Sequence, residues 1–133
     1  MAEAPASLAI ARNAIATVAG AFPAPFMGGY SPAKAAALFL SSITRSELAE
    51  QGTEVIALIV GSVDTRMAAH VRGRKEDPRD IARAGLTALD RGEYVADTDF
   101  MAVDARARHA RDPIRYERGM TKLLIQTVMD TGR

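Results

Sequence analysis

Apolar side chains recur every three or four positions along most of the chain, a pattern typical of helices with one buried face. Such rows predict helices over 7–21, 32–51 (broken near 43), 54–73, 78–90, 98–111 and 113–130. In the first of them, Leu8, Ala11, Ile15 and Val18 share one face. We therefore predict an all-α fold of five to seven short-to-medium helices in one compact, bundle-like domain spanning residues 1–133.

Several predicted helices also have recognisable start signals. Asp77 and Asp112 each precede a proline, so that a capping carboxylate stands before a residue whose missing amide costs nothing at the first helical position. The sequence Thr44-Arg45-Ser46-Glu47 has the capping-box pattern and predicts a new helix from about Arg45. Asp97 or Thr98 is the expected cap of helix 98–111. Gly52 is expected at a left-handed helix stop, and the helix 78–90 is expected to end at Gly92.

The segment 53–63 fits two structures. Five of its apolar residues are β-branched, which favours a strand: Val55, Ile56, Ile59, Val60 and Val63. The row continuing through Met67 and Val71 favours a buried helix instead. Because no second segment alternates apolar and polar residues, we prefer the helix. The alternative is an α fold with one strand at 54–61 paired to a partner chain.

The composition says more about the cellular compartment of the protein than about its function. The net charge is +1, cysteine is absent, and 48% of the residues are hydrophobic. No apolar run approaches the roughly 20 residues that span a bilayer, and the N-terminus lacks the basic start of a signal peptide. We therefore expect a cytoplasmic protein of bacterial type with no membrane contact.

Residues that could carry chemistry are sparse. The two histidines, His70 and His109, lie in no metal-binding spacing, and Gly28-Gly29 is followed by no lysine that would complete a phosphate-binding loop. No serine stands in a glycine-shaped nucleophile turn. The sequence thus predicts no catalytic residues, no metal and no cofactor, and enzymatic activity stays uncertain.

These absences favour a non-enzymatic helical interaction protein, an adaptor or assembly subunit. Its contact surface would be the unusually apolar loop between the first two helices, through Phe22, Phe26, Met27 and Tyr30. As a second interpretation, which we favour for the loop itself, it packs down on the protein's own core instead of standing exposed. We expect a protein partner or a homo-oligomer, because several of the helices are too short to be stable alone.

Two alternatives stay open. An arginine-rich regulator could grip DNA or RNA phosphates with a basic set consisting of Arg72, Arg74, Lys75, Arg108, Arg111 and Arg115. The protein could also be the accessory subunit of an enzyme complex, for which the available polar groups are Tyr30, His70, His109 and Tyr116.

Overall fold

A parallel β-sheet lies at the centre of the computed structural model, which describes residues 12–25 and 27–131. Its strands are β1 (Arg12–Thr17), β2 (Val55–Val60) and β3 (Val95–Asp97), in the order β1-β2-β3. Thr17 pairs with Val60 at one end of the β1–β2 ladder, and Ile59 pairs with Asp97 in the β2–β3 ladder. The carboxyl ends of all three strands therefore meet at one edge of the sheet.

In the described ranges, five helices surround this sheet. They are α1 (Val18–Ala21), α2 (Tyr30–Glu47), α3 (Pro78–Asp90), α4 (Phe100–Arg111) and α5 (Pro113–Thr131), with short 3-10 turns at Ala49–Gln51 and Arg66–Ala68. Because α2 joins the parallel strands β1 and β2, it must begin near the carboxyl edge of the sheet and return to the amino edge. None of the described helices is long and apolar enough to cross a membrane.

The core forms on both faces of β2, all six residues of which are buried. On one face, Ile56, Leu58 and Val60 pack with Ile81 and Ala88 of α3 and with Ala96 of β3. On the other face, Ile59 packs with Ala102 of α4, and Ala21 and Leu38 lie against this pair. The architecture is therefore three layers, with the sheet between two helical layers.

The predicted all-α fold is wrong at two of its helices. Residues 12–17 form β1 rather than the helix 7–21, whose first five residues lie outside the described part of the chain, and 55–60 form β2 rather than the start of a helix 54–73. A strand covered on both faces carries a continuous apolar run, so it needs no alternating partner in the sequence. The alternative strand at 54–61 was correctly located, but its partners β1 and β3 belong to the same chain.

The predicted break near residue 43 is also wrong, since α2 runs without interruption from Tyr30 to Glu47. The hydroxyl of Ser41 donates to the Ala37 carbonyl at 2.9 Å, and that of Ser46 donates to the Ser42 carbonyl at 3.1 Å. These side chains bond within the helix instead of capping a new one. The capping-box pattern at Thr44 was therefore misleading.

The Asp-Pro start signals are confirmed. Asp77 accepts a hydrogen bond from the Arg79 amide at 2.7 Å at the start of α3, and Asp112 accepts one from the Arg115 amide at 2.9 Å at the start of α5. Gly52 has the predicted left-handed conformation, with φ of 67°, and Gly92, which follows α3, has φ of 69°. The cap of α4 is Asp99, not Asp97 or Thr98.

Candidate active site

The carboxyl edge of the sheet gathers the ends of three strands, where ligands bind in open parallel α/β sheets. β1 ends at Thr17, Gly61 follows β2, and Thr98 follows β3. The Thr98 amide and hydroxyl both donate to the Ile59 carbonyl, at 3.1 and 3.0 Å. These bonds hold the end of β3 firmly against the end of β2.

Asp99 adds a second link at the same edge. One of its carboxylate oxygens accepts a hydrogen bond of 2.6 Å from the Gly61 amide, and the other accepts one of 2.9 Å from the Ala102 amide in the first turn of α4. A Cβ at Gly61 would lie 2.8 Å from Met101 Cβ, closer than such atoms approach. Position 61 therefore requires glycine for close contact between the β2 end and α4.

The first turn of α2 places a phenol and an ammonium group together at this edge. Lys34 follows Tyr30 by four residues, so both side chains lie on one face of the helix. Lys34 Nζ is 5.7 Å from the centroid of the Tyr30 ring. Tyr30 is 37% exposed. A phenol can donate a proton, and a nearby cation stabilises the phenolate that remains.

Gly20 fixes this turn of α2 against the chain that leaves β1. A Cβ on Gly20 would overlap Lys34 Cβ and would lie 2.9 Å from the Lys34 carbonyl carbon. Only a residue without a side chain allows this approach. The position of Lys34, and with it that of Tyr30, therefore depends on Gly20.

Three aromatic rings join the loop after α1 to the last two helices. The centroids of Phe22 and His109 are 5.1 Å apart, those of Phe22 and Tyr116 are 5.9 Å apart, and those of His109 and Tyr116 are 5.6 Å apart. Burial is the main cause that raises the pKa of Tyr116, with a smaller opposing effect from Arg108. The cluster holds α4 and α5 against the loop that leads to Tyr30.

A cavity of about 610 Å³ opens between this loop, the start of α2 and α5. Gly20 and Gly28 line it from the loop, Ser31 from α2, and Glu117 and Met120 from α5. Its volume lies within the usual range for small-molecule sites. From α2 the cavity is lined by Ser31, Pro32 and Ala35, and neither Tyr30 nor Lys34 belongs to its lining.

The structure separates the four residues predicted for partner binding. Phe22 is only 8% exposed and belongs to the aromatic cluster, whereas Met27 is 39% exposed. Tyr30 lies at the carboxyl edge of the sheet, and Phe26 lies outside the described residues. At Phe22 the loop packs on the protein's own core, as the second of the two interpretations expected.

The predicted phosphate-binding residues are scattered. Arg74 pairs with Glu76 at 2.9 Å, Lys75 with Asp64 at 3.7 Å, and Arg108 forms an ion pair with Asp104. The remaining three, all exposed, are Arg72, Arg111 and Arg115. Contact with nucleic acid stays an untested prediction. Within the described ranges, no three His, Asp or Glu side chains are arranged to hold a metal ion.

From the sequence alone, Tyr30 and Lys34 were not identified as a functional pair. Tyr30 was assigned to a contact loop, and Lys34 was assigned nothing. The available signal was a tyrosine and a lysine four residues apart at a helix start, directly after a glycine-containing loop. That spacing becomes informative only once the helix is known to begin at the carboxyl edge of a parallel sheet.

Comparison with known proteins points to one family. The family model described as "short chain dehydrogenase" matches residues 14–76. A short-chain dehydrogenase from Burkholderia cenocepacia in complex with NADP superposes with a TM-score of 0.77 and 28% identity, covering 83% of this chain and 46% of that one. One from Sphingobium yanoikuyae in complex with NADPH gives a TM-score of 0.61 and 25% identity, covering 79% and 44%.

A ketone-specific alcohol dehydrogenase from Comamonas testosteroni shares the fold, with a TM-score of 0.58 at 24% identity over 84% of this chain and 42% of that one. No curated protein matches the sequence. From the coverages given above, the chain spans less than half the length of each of these three structures.

These matches overturn the prediction of a non-enzymatic adaptor or assembly protein, because the matched proteins are dehydrogenases. Together with the parallel sheet, these matches show that the all-α interpretation is wrong. The chain has the Rossmann-like α/β fold of the short-chain dehydrogenases, and over residues 14–76 it is similar to them in sequence as well.

Proposed function

We propose that this chain carries the proton-transferring part of an NADP(H)-linked oxidoreductase that interconverts a carbonyl compound and an alcohol. The observation that carries the proposal is the Tyr30–Lys34 pair at the carboxyl edge of a parallel sheet, 5.7 Å from ammonium to ring centroid. The similarity to short-chain dehydrogenases, two of them solved with NADP or NADPH, supports the choice of cofactor.

The residues present fit the reacting end of such a dinucleotide. Lys34, in the first turn of α2 at the carboxyl edge of the sheet, offers an ammonium group to ribose hydroxyls beside the Tyr30 ring. The pyrophosphate fits less well. The sequence has no glycine-rich turn of the dinucleotide-binding pattern, and Asp77, Asp99 and Asp112 already cap α3, α4 and α5. We therefore assign to this chain only the nicotinamide end.

The chemistry divides between cofactor and protein. When bound, reduced nicotinamide supplies a hydride to the carbonyl carbon. Tyr30 gives the proton of its hydroxyl to the carbonyl oxygen, so that the oxygen leaves as an alcohol rather than an alkoxide. Lys34 stabilises the phenolate left on Tyr30 through its positive charge. In the reverse direction, the phenolate accepts the alcohol proton.

Tyr30→Phe tests the proposal directly. NADPH-dependent reduction of acetophenone by the full chain should fall about 10²–10⁴-fold, because the variant lacks the donated proton. Tyr94→Phe is the matched control. Tyr94 also lies beside a cation, Arg45, but at the amino edge of the sheet, so its loss should leave the rate unchanged. Equal activity of Tyr30→Phe and the native protein would overturn the proposal.

A further inference from the structure

The single-turn helix α1 contacts both α2 and α4. Ala21, its last residue, packs against the buried pair of Ile59 and Ala102. One residue earlier, Gly20 lies so close to α2 that an added Cβ would overlap the Lys34 Cβ. Because this contact leaves no space between the two helices, the position of α1 determines where Lys34 lies.

A buried ring directly after α1 anchors the carboxyl end of that helix. The Phe22 centroid lies 5.1 Å from that of His109 in α4 and 5.9 Å from that of Tyr116 in α5. His109 and Tyr116 also contact each other, with an angle of 79° between their ring planes, an edge-to-face arrangement that aromatic pairs favour. Each ring therefore contacts the other two, and α4 and α5 together hold the end of α1.

The loop 22–29 is loosely packed where it reaches α2. An added Cβ at Gly28 or Gly29 would meet no atom within 4 Å, whereas one at Gly20 would overlap Lys34. The tight contact with the first turns of α2 is therefore made by α1 and not by the end of the loop. A ring cluster that fixes α1 consequently fixes the start of α2 as well.

Proton transfer is sensitive to small shifts of groups at the start of α2. A phenol donates its proton only within hydrogen-bond reach of the accepting oxygen, and a misplacement of about 1 Å can lower a rate about 10²-fold. Lys34 Nζ lies 5.7 Å from the Tyr30 ring centroid, and its effect on a phenolate weakens as this distance grows. A displacement of α1 would therefore slow the reaction without altering any residue that contacts the substrate.

We propose that His109 is a positioning residue for the Tyr30–Lys34 pair, acting through Phe22 and α1. This inference rests on the proposed function, because it concerns the geometry of the pair that transfers the proton. The contribution of His109 is the contact surface of its ring and not a proton of its own. A second aromatic side chain at position 109 should therefore serve equally well, whereas a small one should release α1.

His109→Ala and His109→Phe test the proposal in the full chain at saturating NADPH, at a temperature at which circular dichroism shows every variant to be folded. His109→Ala should lower kcat for acetophenone about ten-fold and change KM less than about two-fold, because a displaced proton donor affects the transition state more than the binding of the ketone. His109→Phe should keep kcat within about two-fold of the native value, because it restores the ring contacts.

Nuclear Overhauser effects measure the geometry of the pair without cofactor or substrate. Cross-peaks between the Tyr30 ring protons and the Lys34 side-chain protons should be present in the native protein and in His109→Phe, and lost in His109→Ala. Ile81→Val is the matched control, since it removes one methyl group from the core on the other face of the sheet. It should lower stability while keeping both the cross-peaks and kcat.

A folded His109→Ala with native cross-peaks and native kcat would overturn the proposal, as would a His109→Phe variant that loses as much as His109→Ala. If His109→Ala does not fold, Tyr116→Leu at the third, half-buried ring replaces it with the same expected losses. Failure of the proposed function would look different. In that case the cross-peaks would change as expected among the variants, yet the native protein would not reduce acetophenone.

Discussion

The backbone amide of Gly61 donates a hydrogen bond of 2.6 Å to the carboxylate of Asp99. One side chain thereby ties the end of β2 to the start of α4, because the second carboxylate oxygen caps the Ala102 amide at 2.9 Å. The link lies at the edge where the proposed reaction takes place. It holds the carboxyl ends of β2 and β3 against the first turn of α4.

Asp99→Ala should lower the free energy of unfolding by about 1–3 kcal/mol, because it removes a cap and leaves two amides without their acceptor. Urea denaturation measures this loss. Asp104→Ala, which removes an exposed ion pair with Arg108 on the same helix, should cost no more than about 0.5 kcal/mol. Equal losses in the two variants would contradict the assigned role of Asp99.

Gly20→Ala should disturb both stability and the position of the proposed proton donor. The new Cβ would overlap Lys34 and force α2 away from α1, at a cost of about 1–3 kcal/mol. Gly119→Ala is the opposite case, since nothing lies within 4 Å of its added Cβ. In the interior of α5 it should stabilise the protein by about 0.5–1 kcal/mol. Thermal unfolding of the two variants should therefore shift in opposite directions, and a shared direction would contradict the packing described for Gly20.

Arg45→Lys tests the opposite edge of the sheet. Arg45 donates to the Val55 carbonyl at 2.7 Å and to the Tyr94 carbonyl at 2.8 Å, with its guanidinium 4.5 Å from the Tyr94 ring. Lysine cannot make this forked contact, so unfolding free energy should fall by about 1–2 kcal/mol. Arg83→Lys, at an exposed pair with Asp80, should change it little. Similar losses of unfolding free energy in the two variants would show that the forked contact of Arg45 does not stabilise the protein.

Stability should depend on pH through Tyr116. Burial raises its pKa above the ordinary value of 10.0, so the unfolded chain loses this proton at lower pH than the folded chain. The stability that Tyr116 contributes is therefore fully present below about pH 10 and is lost as pH rises through the higher pKa of the folded state. Urea denaturation at increasing pH should show a shallower decline for Tyr116→Phe than for the native protein. Parallel declines would contradict the burial of this phenol.

The helical part of the fold was largely predictable from local signals. The capping carboxylates Asp77 and Asp112 act on the amides of their own helix, so the sequence nearby contains the whole interaction. The strands were not predictable in this way. β2 is buried on both faces and β3 is three residues long, so neither carries a period that distinguishes a strand from a helix.

The candidate site depends on the same long-range pairing. Tyr30 and Lys34 are recognisable as neighbours on a helix, but their place at the carboxyl edge follows from the parallel arrangement of β1 and β2. Gly20 and Asp99 gain their roles through contacts with residues 14 and 38 positions away in the chain. Without knowledge of those contacts, the sequence shows only a tyrosine and a lysine near a loop, and nothing indicates that they form a site.

A double-mutant cycle on acetophenone reduction tests the central claim that Tyr30 and Lys34 act as one proton-donating unit. Rates are compared for the native protein, Tyr30→Phe, Lys34→Met and the double variant. At saturating NADPH, where the contact of Lys34 with ribose hydroxyls does not limit the rate, Lys34 acts through the phenol, so the double variant should be no slower than Tyr30→Phe, which itself should lose about 10²–10⁴-fold. Independent, multiplying losses in the double variant, or full activity in Tyr30→Phe, would contradict the claim.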